Sequence, residues 1–163
     1  MRPYLTHFHV PETESLTFLN ILVGIDGSPS ANRALEEAID LARLGNAKLT
    51  LITVAPIASG FVALAGVSPQ TMQAELDKWA TKTLDEASAN VPDEIAAHTV
   101  QGTGHAGPGI LKELERGTYD LVVLGTRGRG VTEEGFLGSV NGYVHFHSKV
   151  PLLSVPDAAS VRP

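Results

Sequence analysis

The chain has 163 residues, a length typical of one domain, and 43% of them are hydrophobic, which is enough for a sizeable core. A formal net charge of −6 disfavours proteins that bind nucleic acids or anionic membranes, because both functions require basic patches. The sequence has no cysteine, which excludes disulfides and thiol chemistry, and no apolar run long enough to span a bilayer, so we expect a cytoplasmic protein.

Residues 1–17 look like an N-terminal extension that precedes the domain. They are polar, contain two prolines and lack the apolar segment of a secretory signal. His7 and His9 are spaced to face one side of a strand, but no third ligand follows at a clear spacing. Metal binding at this pair is therefore disfavoured.

The first strand and helix are predicted from an apolar run followed by a capping sequence. Residues 18–25 form a nearly continuous apolar run, typical of a buried strand that ends at Asp26. Ser28 then supplies an N-cap oxygen, and Pro29 suits the first helical position because its missing N–H needs no partner there. Apolar residues recur every three or four positions until Gly45, where the helix should stop.

The rest of the chain continues to alternate strands and helices. A helix beginning at Ser68 carries Met72, Leu76 and Trp79 on one face, a stripe that we interpret as core packing rather than ligand contact. Alternation of this kind predicts an α/β fold with a parallel sheet covered on both faces by helices. The predicted strands are residues 48–54, 94–101, 121–124 and 150–155, and the later helices lie near 110–114 and 139–147.

The most informative stretch follows the strand at residues 121–124. Three glycines and two arginines follow that strand closely, and a further glycine with a serine precedes the last helix, in the spacing G-x2-G-x9-G-S. Glycines let the backbone approach an anion, and amides at a helix start can point at phosphate oxygens, so the stretch predicts a phosphate-binding cradle; a glycine-rich surface turn is the alternative. The residues concerned are Gly125, Arg127, Gly128, Arg129, Gly130, Gly138 and Ser139.

Two other glycine motifs are weaker. Residues 102–107 match G-x-G-x-x-G, but the helix that follows is short and Asp120 starts the next strand too early to bind a ribose, so a flexible connection is preferred. Residues 125–130 have the spacing of a Walker A loop, and Thr132 matches its Ser/Thr position, but Val131 stands where the lysine that neutralises the phosphate charge is needed. The chain is therefore not expected to be a P-loop NTPase.

Three separated segments resemble the universal stress protein family. Gly125, Gly128, Gly138 and Ser139 match the string G-x2-G-x9-G-[ST] of its ATP-binding members. The strings ILVGIDGS, residues 21–28, and VPLLSV, from Val150 to Val155, are similar to its first and last strands. The resemblance covers residues 18–156 and leaves 157–163 as a C-terminal tail.

The resemblance implies an open five-stranded parallel sheet in the order 3-2-1-4-5, a Rossmann-like fold of the adenine nucleotide alpha hydrolase type. Strand order then reverses between the first and fourth strands, and ligands bind outside the carboxyl ends of strands at such a point. Asp26 and residues 125–130 lie at those ends. The G-x-G-x-x-G segment would lie at the sheet edge, away from the crevice.

The resemblance also implies the residues of an adenine-nucleotide site. Asp26 would lie beside the ribose and the adenine, and the backbone of Val54 would meet the adenine. The alternative for Asp26 is that it caps the start of the helix. The alternative for Arg127 and Arg129 is that they lie at the solvent-exposed tip of a loop and contact no ligand. The phosphates would be lined by Gly125, Arg127, Gly128 and Arg129 and closed from the other side by Gly138, Ser139 and Val140.

The implied ligand is ATP or another adenine nucleotide. Glu133 and Glu134 depart from the family pattern, because carboxylates beside a triphosphate oppose binding unless they face solvent or are bridged by Mg²⁺. His145 and His147 are two positions apart, do not share a helix face and are interpreted as surface or interface residues.

The implied function is that of a nucleotide-binding stress-response protein that acts through its conformation or by recruiting partners. A slow ATPase and a non-binding dimeric interaction module are the alternatives, and no general base stands out beside the glycine loop. A homodimer is expected through the last strand, Val150 to Val155, because an exposed apolar edge favours pairing with its twin.

Overall fold

Strands and helices alternate along the part of the chain that the structure, a computed structural model, describes: residues 17–58, 68–128 and 138–156. No helix within these ranges is both long and apolar enough to cross a bilayer. The elements are β1 (Asn20–Gly24), α1 (Pro29–Gly45), β2 (Lys48–Ala55), α2 (Pro69–Ala89), β3 (Ala97–Thr103), α3 (Ala106–Arg116), β4 (Leu121–Gly125), α4 (Ser139–His147) and β5 (Leu152–Val155).

The five strands form one sheet in the order β3-β2-β1-β4-β5, and all four pairings are parallel. The predicted fold class and strand order are therefore confirmed. In the central register Ile21 lies between Leu49 of β2 and Leu121 of β4. β3 starts three residues later than predicted, because the chain first turns with a bond from the Ile95 N–H to the Pro92 carbonyl (2.9 Å).

Helices cover both faces of the sheet, and alternate residues of β1 point to different cores. Ile21 and Val23 pack into a core formed with α1 and α2, whereas Leu22 packs on the other face with α3 and α4. All three side chains are fully buried. This burial on both faces explains why the strand reads as a continuous apolar run instead of an alternating one.

The helix starts predicted at Ser28-Pro29 and Ser68-Pro69 are confirmed. The Ser28 hydroxyl accepts the Ala31 N–H at 3.2 Å and caps α1, with Pro29 as the first helical residue. At the other end Asn46, not Gly45, adopts the left-handed conformation that ends the helix (φ 53°). Gly45 is in close contact with the chain before β1, since a Cβ there would lie 3.0 Å from the Phe18 carbonyl oxygen.

Tyr119 lies just before β4, and its raised pKa leads us to predict a loss of stability at alkaline pH. Burial raises its pKa above the ordinary 10.0, and its bond to Glu113 and the charge of that carboxylate add to the shift, while a bond from Thr50 opposes it. The unfolded chain then releases this proton at lower pH than the folded chain. The stabilising contribution is present below about pH 10 and is lost as the pH rises through the folded-state pKa.

We therefore expect Tyr119→Phe to flatten the decline of the urea midpoint between about pH 9 and pH 11. Tyr143→Phe, a change at a more exposed tyrosine on α4, is the control and should keep the wild-type slope. Identical slopes for Tyr119→Phe and the wild type would contradict this assignment.

Candidate functional site

A cavity of about 890 Å³ opens at the carboxyl ends of β1, β2 and β4. This is where the strand order reverses, and the volume lies within the range of about 300–1,000 Å³ typical of small-molecule sites. Its lining divides into a polar half, formed by the turn after β1, the loop after β4 and the start of α4, and an apolar half, formed by β2, α2 and α3.

The cavity brings together eight of the nine residues predicted from the sequence. Arg129, the ninth, lies outside the described residues, as do Glu133 and Glu134. The binding roles of these residues stay predictions, but their common location agrees with the site that the resemblance implies. The eight are Asp26, Val54, Gly125, Arg127, Gly128, Gly138, Ser139 and Val140.

Asp26 is held in the turn between β1 and α1 with its carboxylate towards the loop after β4. One oxygen accepts the Ser28 N–H at 2.9 Å, and the other lies 3.0 Å from the position that a Cβ on Gly128 would occupy. Ser28, not Asp26, is the N-cap of α1. Gly27 between them has a φ of 76°, a conformation that favours glycine.

The loop after β4 is fixed by direct contact with the start of α1. The Arg127 carbonyl accepts the hydroxyls of Ser28, at 3.3 Å, and of Ser30. A Cβ on Gly125 would lie 2.6 Å from the Ser30 carbonyl carbon and 2.7 Å from the Ala31 nitrogen, both backbone atoms. Gly125 is therefore required by the packing of α1 against the end of β4, whether or not a ligand is bound.

Gly138 also has a structural reason, whereas Gly128 does not. The Gly138 N–H donates to the Thr126 carbonyl at 2.8 Å, and a Cβ on Gly138 would lie 2.9 Å from that oxygen. A Cβ on the exposed Gly128 would meet only the Asp26 carboxylate. Among the three motif glycines of the cradle, Gly128 is thus the one whose added Cβ would approach a cavity-lining side chain and no backbone atom.

The start of α4 faces the same space. Gly138 is its N-cap and provides no side-chain acceptor, and Ser139, Val140 and Asn141 of the first turn line the cavity. First-turn amides have no carbonyl partner within their own helix, and the helix dipole places partial positive charge there. This end can hold an anion, with the Ser139 hydroxyl as a further donor.

Asn141 is a site residue that the sequence did not reveal. Its side chain is fully buried, its Nδ2 donates to the Gly125 carbonyl at 2.7 Å, and its Oδ1 accepts the Ser154 hydroxyl at 2.6 Å. It ties α4 to β4 and to β5. An asparagine in a first helical turn gives no signal of this role, because the partners lie 16 and 13 positions away.

We expect Asn141→Leu to destabilise the fold by about 1–3 kcal/mol, because the partly buried Gly125 carbonyl and Ser154 hydroxyl lose a hydrogen-bond partner. Urea unfolding followed by circular dichroism measures this. Asn32→Leu, the same change at an exposed position of α1, is the matched control and should alter stability by less than about 0.5 kcal/mol. Equal effects in the two variants would show that the Asn141 bonds contribute little.

The apolar half corrects two sequence predictions. Leu76 and Trp79 are only half-buried and line the cavity, so core packing is the wrong interpretation for them; the core side of α2 begins at Ala80. The G-x-G-x-x-G segment follows the edge strand β3 as expected, but it does not lie wholly away from the crevice, since Ala106 within it lines the cavity, as does Ile110 further along α3. Both contributions come from helices that reach over the ends of the strands.

The G-x-G-x-x-G segment serves packing and turning, and it is not simply a flexible connection. Gly107 already belongs to α3 and is buried against Tyr143 of α4, whose ring would lie 2.6 Å from a Cβ added there. Gly104 has a φ of 116° with open space around it. Close helix packing accounts for Gly107, and a turn with positive φ, which glycine adopts without strain, accounts for Gly104.

Among the described residues, no group of three or more His, Asp or Glu side chains could hold a metal ion. His145 and His147 are exposed on α4, and the His147 ring stacks on Tyr143 with centroids 4.3 Å apart. His7 and His9 lie outside the described residues. Asp26 and Arg127 are the charged residues among the described cavity lining.

The chain is similar to proteins of one family in sequence and in structure. The model of the universal stress protein family matches residues 17–156. Universal stress protein YxiE of Bacillus subtilis (strain 168) is 30% identical over 146 residues, which cover 85% of this chain and 99% of that protein.

Two solved structures share the fold. Universal stress protein UspA from Lactobacillus plantarum has a TM-score of 0.74 and 21% identity, covering 85% of this chain and 98% of that one. A universal stress protein solved in complex with cAMP has a TM-score of 0.60 and 25% identity, covering 87% of this chain and 99% of that one.

Proposed function

The chain belongs to the universal stress protein family. We propose that it binds an adenine nucleotide, with ATP as the first candidate, in the cavity between Asp26 and α4. The observation that carries this proposal is the division of one cavity into a polar half, which contains the start of α4, and an apolar half of a kind that suits a base. The family member solved with cAMP, an adenine nucleotide, supports the choice of ligand class.

The residues present suit such a ligand. The Asp26 carboxylate can accept ribose hydroxyls, and the amides at Gly128 and at the start of α4 can donate to phosphate oxygens. Ser139 and Arg127, which also line the cavity, add a hydroxyl and a positive charge on the phosphate side. Val54 at the end of β2 would meet the base. We also propose that Arg129, which lies outside the described residues, contacts the phosphates. If Mg²⁺ is bound, its role would be to bridge the phosphates.

We propose binding without efficient catalysis, so that the nucleotide acts on conformation or on partner recruitment in a stress response within the cytoplasm. Hydrolysis of ATP would need a group that activates water, and Asp26, the carboxylate among the described lining residues, is assigned to the ribose. Steady ATP hydrolysis by the purified protein, well above a slow background rate, would contradict this proposal and show that the protein is an ATPase.

The test is direct binding to the purified full chain. Protein stripped of ligand by unfolding and refolding should bind ATP with one site per chain in titration calorimetry. Mass spectrometry of the material released on the first unfolding should identify adenine nucleotide. No calorimetric binding of ATP, ADP or AMP would leave the non-binding interaction module as the function.

We also propose a homodimer paired through β5. This strand is one edge of the sheet, and Leu153 is exposed on it. The Pro151 and Val155 carbonyls accept bonds from Val122 and Thr126, so strand geometry directs the peptide groups of Leu152 and Ser154 to the open edge. Unpaired edges of this kind are available to a second copy.

Leu153→Lys is expected to convert the dimer to monomer, because a lysine on an edge strand opposes pairing while leaving the core intact. Light scattering across a concentration range measures the mass. Leu44→Lys places the same charge on an exposed leucine at the end of α1 and should remain dimeric. A wild-type chain that is monomeric throughout the micromolar range would contradict the proposed interface.

A further inference from the structure

We propose that Trp79 of α2 stacks on the base of the bound nucleotide and is a specificity-determining residue of this chain. The inference rests on the proposed function and names the side chain that selects for a planar heteroaromatic group. Trp79 belongs to α2, a helix that contributes none of the site residues predicted from the glycine motif and the strand ends.

The position of Trp79 on α2 sets it apart from the core residues of the same helix. Ala80, Thr83, Leu84 and Ala87 are buried, whereas Trp79 is half-buried and lines the cavity together with Leu76, one turn earlier. A large indole that is neither in the core nor fully exposed retains an accessible aromatic surface on the cavity side.

A contact between α2 and the site fixes where this surface lies. The Thr83 methyl group is 3.9 Å from the position of a Cβ on Gly27, so α2 passes over the turn that carries Asp26. Trp79 is one helical turn from Thr83 on the same side of α2. The indole therefore borders the region next to the proposed ribose acceptor, where a base attached to that ribose would extend.

The remaining walls of this half are hydrocarbon. Ile52 and Val54 come from β2, Pro56 follows it, and Ala106 and Ile110 come from α3. The two charged lining residues that the structure describes, Asp26 and Arg127, belong to the polar half. An apolar chamber with one indole suits an aromatic ring far better than a sugar or a phosphate, because stacking and burial reward a flat, weakly hydrated group.

The chain offers a direct reporter, since Trp79 is its single tryptophan. Titration of the full-length wild type with ATP should change the tryptophan fluorescence with the same midpoint as calorimetry. Ribose 5-phosphate and inorganic pyrophosphate, which lack a base, should leave the emission unchanged. Unchanged fluorescence at ATP concentrations that saturate the protein by calorimetry would overturn the stacking role.

Substitutions separate stacking from general packing. Trp79→Leu should weaken ATP binding about tenfold or more and leave the affinity for pyrophosphate unchanged, whereas Trp79→Phe should restore most of the ATP affinity because it keeps an aromatic face. Wild-type ATP affinity in Trp79→Leu would overturn the inference. The wild-type fluorescence decides the question independently if that variant does not fold.

The two proposals fail in different ways. Calorimetry that detects no nucleotide binding by the wild type overturns the proposed function and this inference with it. If calorimetry detects ATP binding but the Trp79 fluorescence does not change, the stacking role alone is overturned.

Discussion

Gly128→Val is expected to reduce ATP affinity by at least about 100-fold while the chain keeps its fold. Gly128 is exposed, its φ lies outside the left-handed region, and a Cβ there would point at the Asp26 carboxylate 3.0 Å away. A valine would therefore fill the space between the loop and Asp26, which is the space that the nucleotide needs. Calorimetry with ATP measures the affinity, and urea unfolding checks the fold.

Gly142→Val is the matched control. It makes the same substitution in α4, where a Cβ would meet no atom within 4 Å and where the residue does not line the cavity. Valine is slightly better than glycine in a helix, so stability should not fall. ATP affinity that is the same in Gly128→Val and the wild type would mean that the loop does not contact the ligand.

Gly125→Val is expected to destabilise the fold by about 3 kcal/mol, the largest stability effect of the set. Its Cβ would lie 2.5–2.7 Å from the Ser30 hydroxyl, the Ser30 carbonyl carbon and the Ala31 nitrogen, and backbone atoms cannot move aside as a flexible side chain can. α1 would have to separate from the end of β4. Urea unfolding with Gly142→Val as the reference measures the loss.

An unchanged urea midpoint for Gly125→Val would refute the close approach of α1 and β4. Gly125→Val and Gly128→Val thus show that glycines of one sequence motif serve different purposes. In the structure a Cβ on Gly125 or Gly138 would meet backbone atoms of the fold, whereas a Cβ on Gly128 would meet only the Asp26 carboxylate.

The fold could be predicted because its signals are local. Apolar runs mark the central strands, and Ser28 with Pro29 marks the start of α1 at the residues where the structure has them. The polar half of the site could be predicted as well, since residues at the carboxyl ends of β1 and β4 must meet where the strand order reverses.

The rest of the site depends on contacts between distant segments. The burial of Asn141 arises from partners in β4 and β5, and nothing in the sequence near it shows this. Trp79 and Leu76 have the spacing of core residues, and only the path of α2 over the Asp26 turn turns them towards the cavity. Helix periodicity shows which residues share a face, but it does not show where along the helix the core ends.

A crystal structure of the full chain grown with ATP tests the central claim most directly. We predict density for the ribose beside Asp26, for the phosphates between Gly128 and the first turn of α4, and for the adenine in the apolar half next to Val54. Density for ATP elsewhere on the protein, or a cavity without nucleotide at an ATP concentration that saturates the protein in calorimetry, would contradict the account.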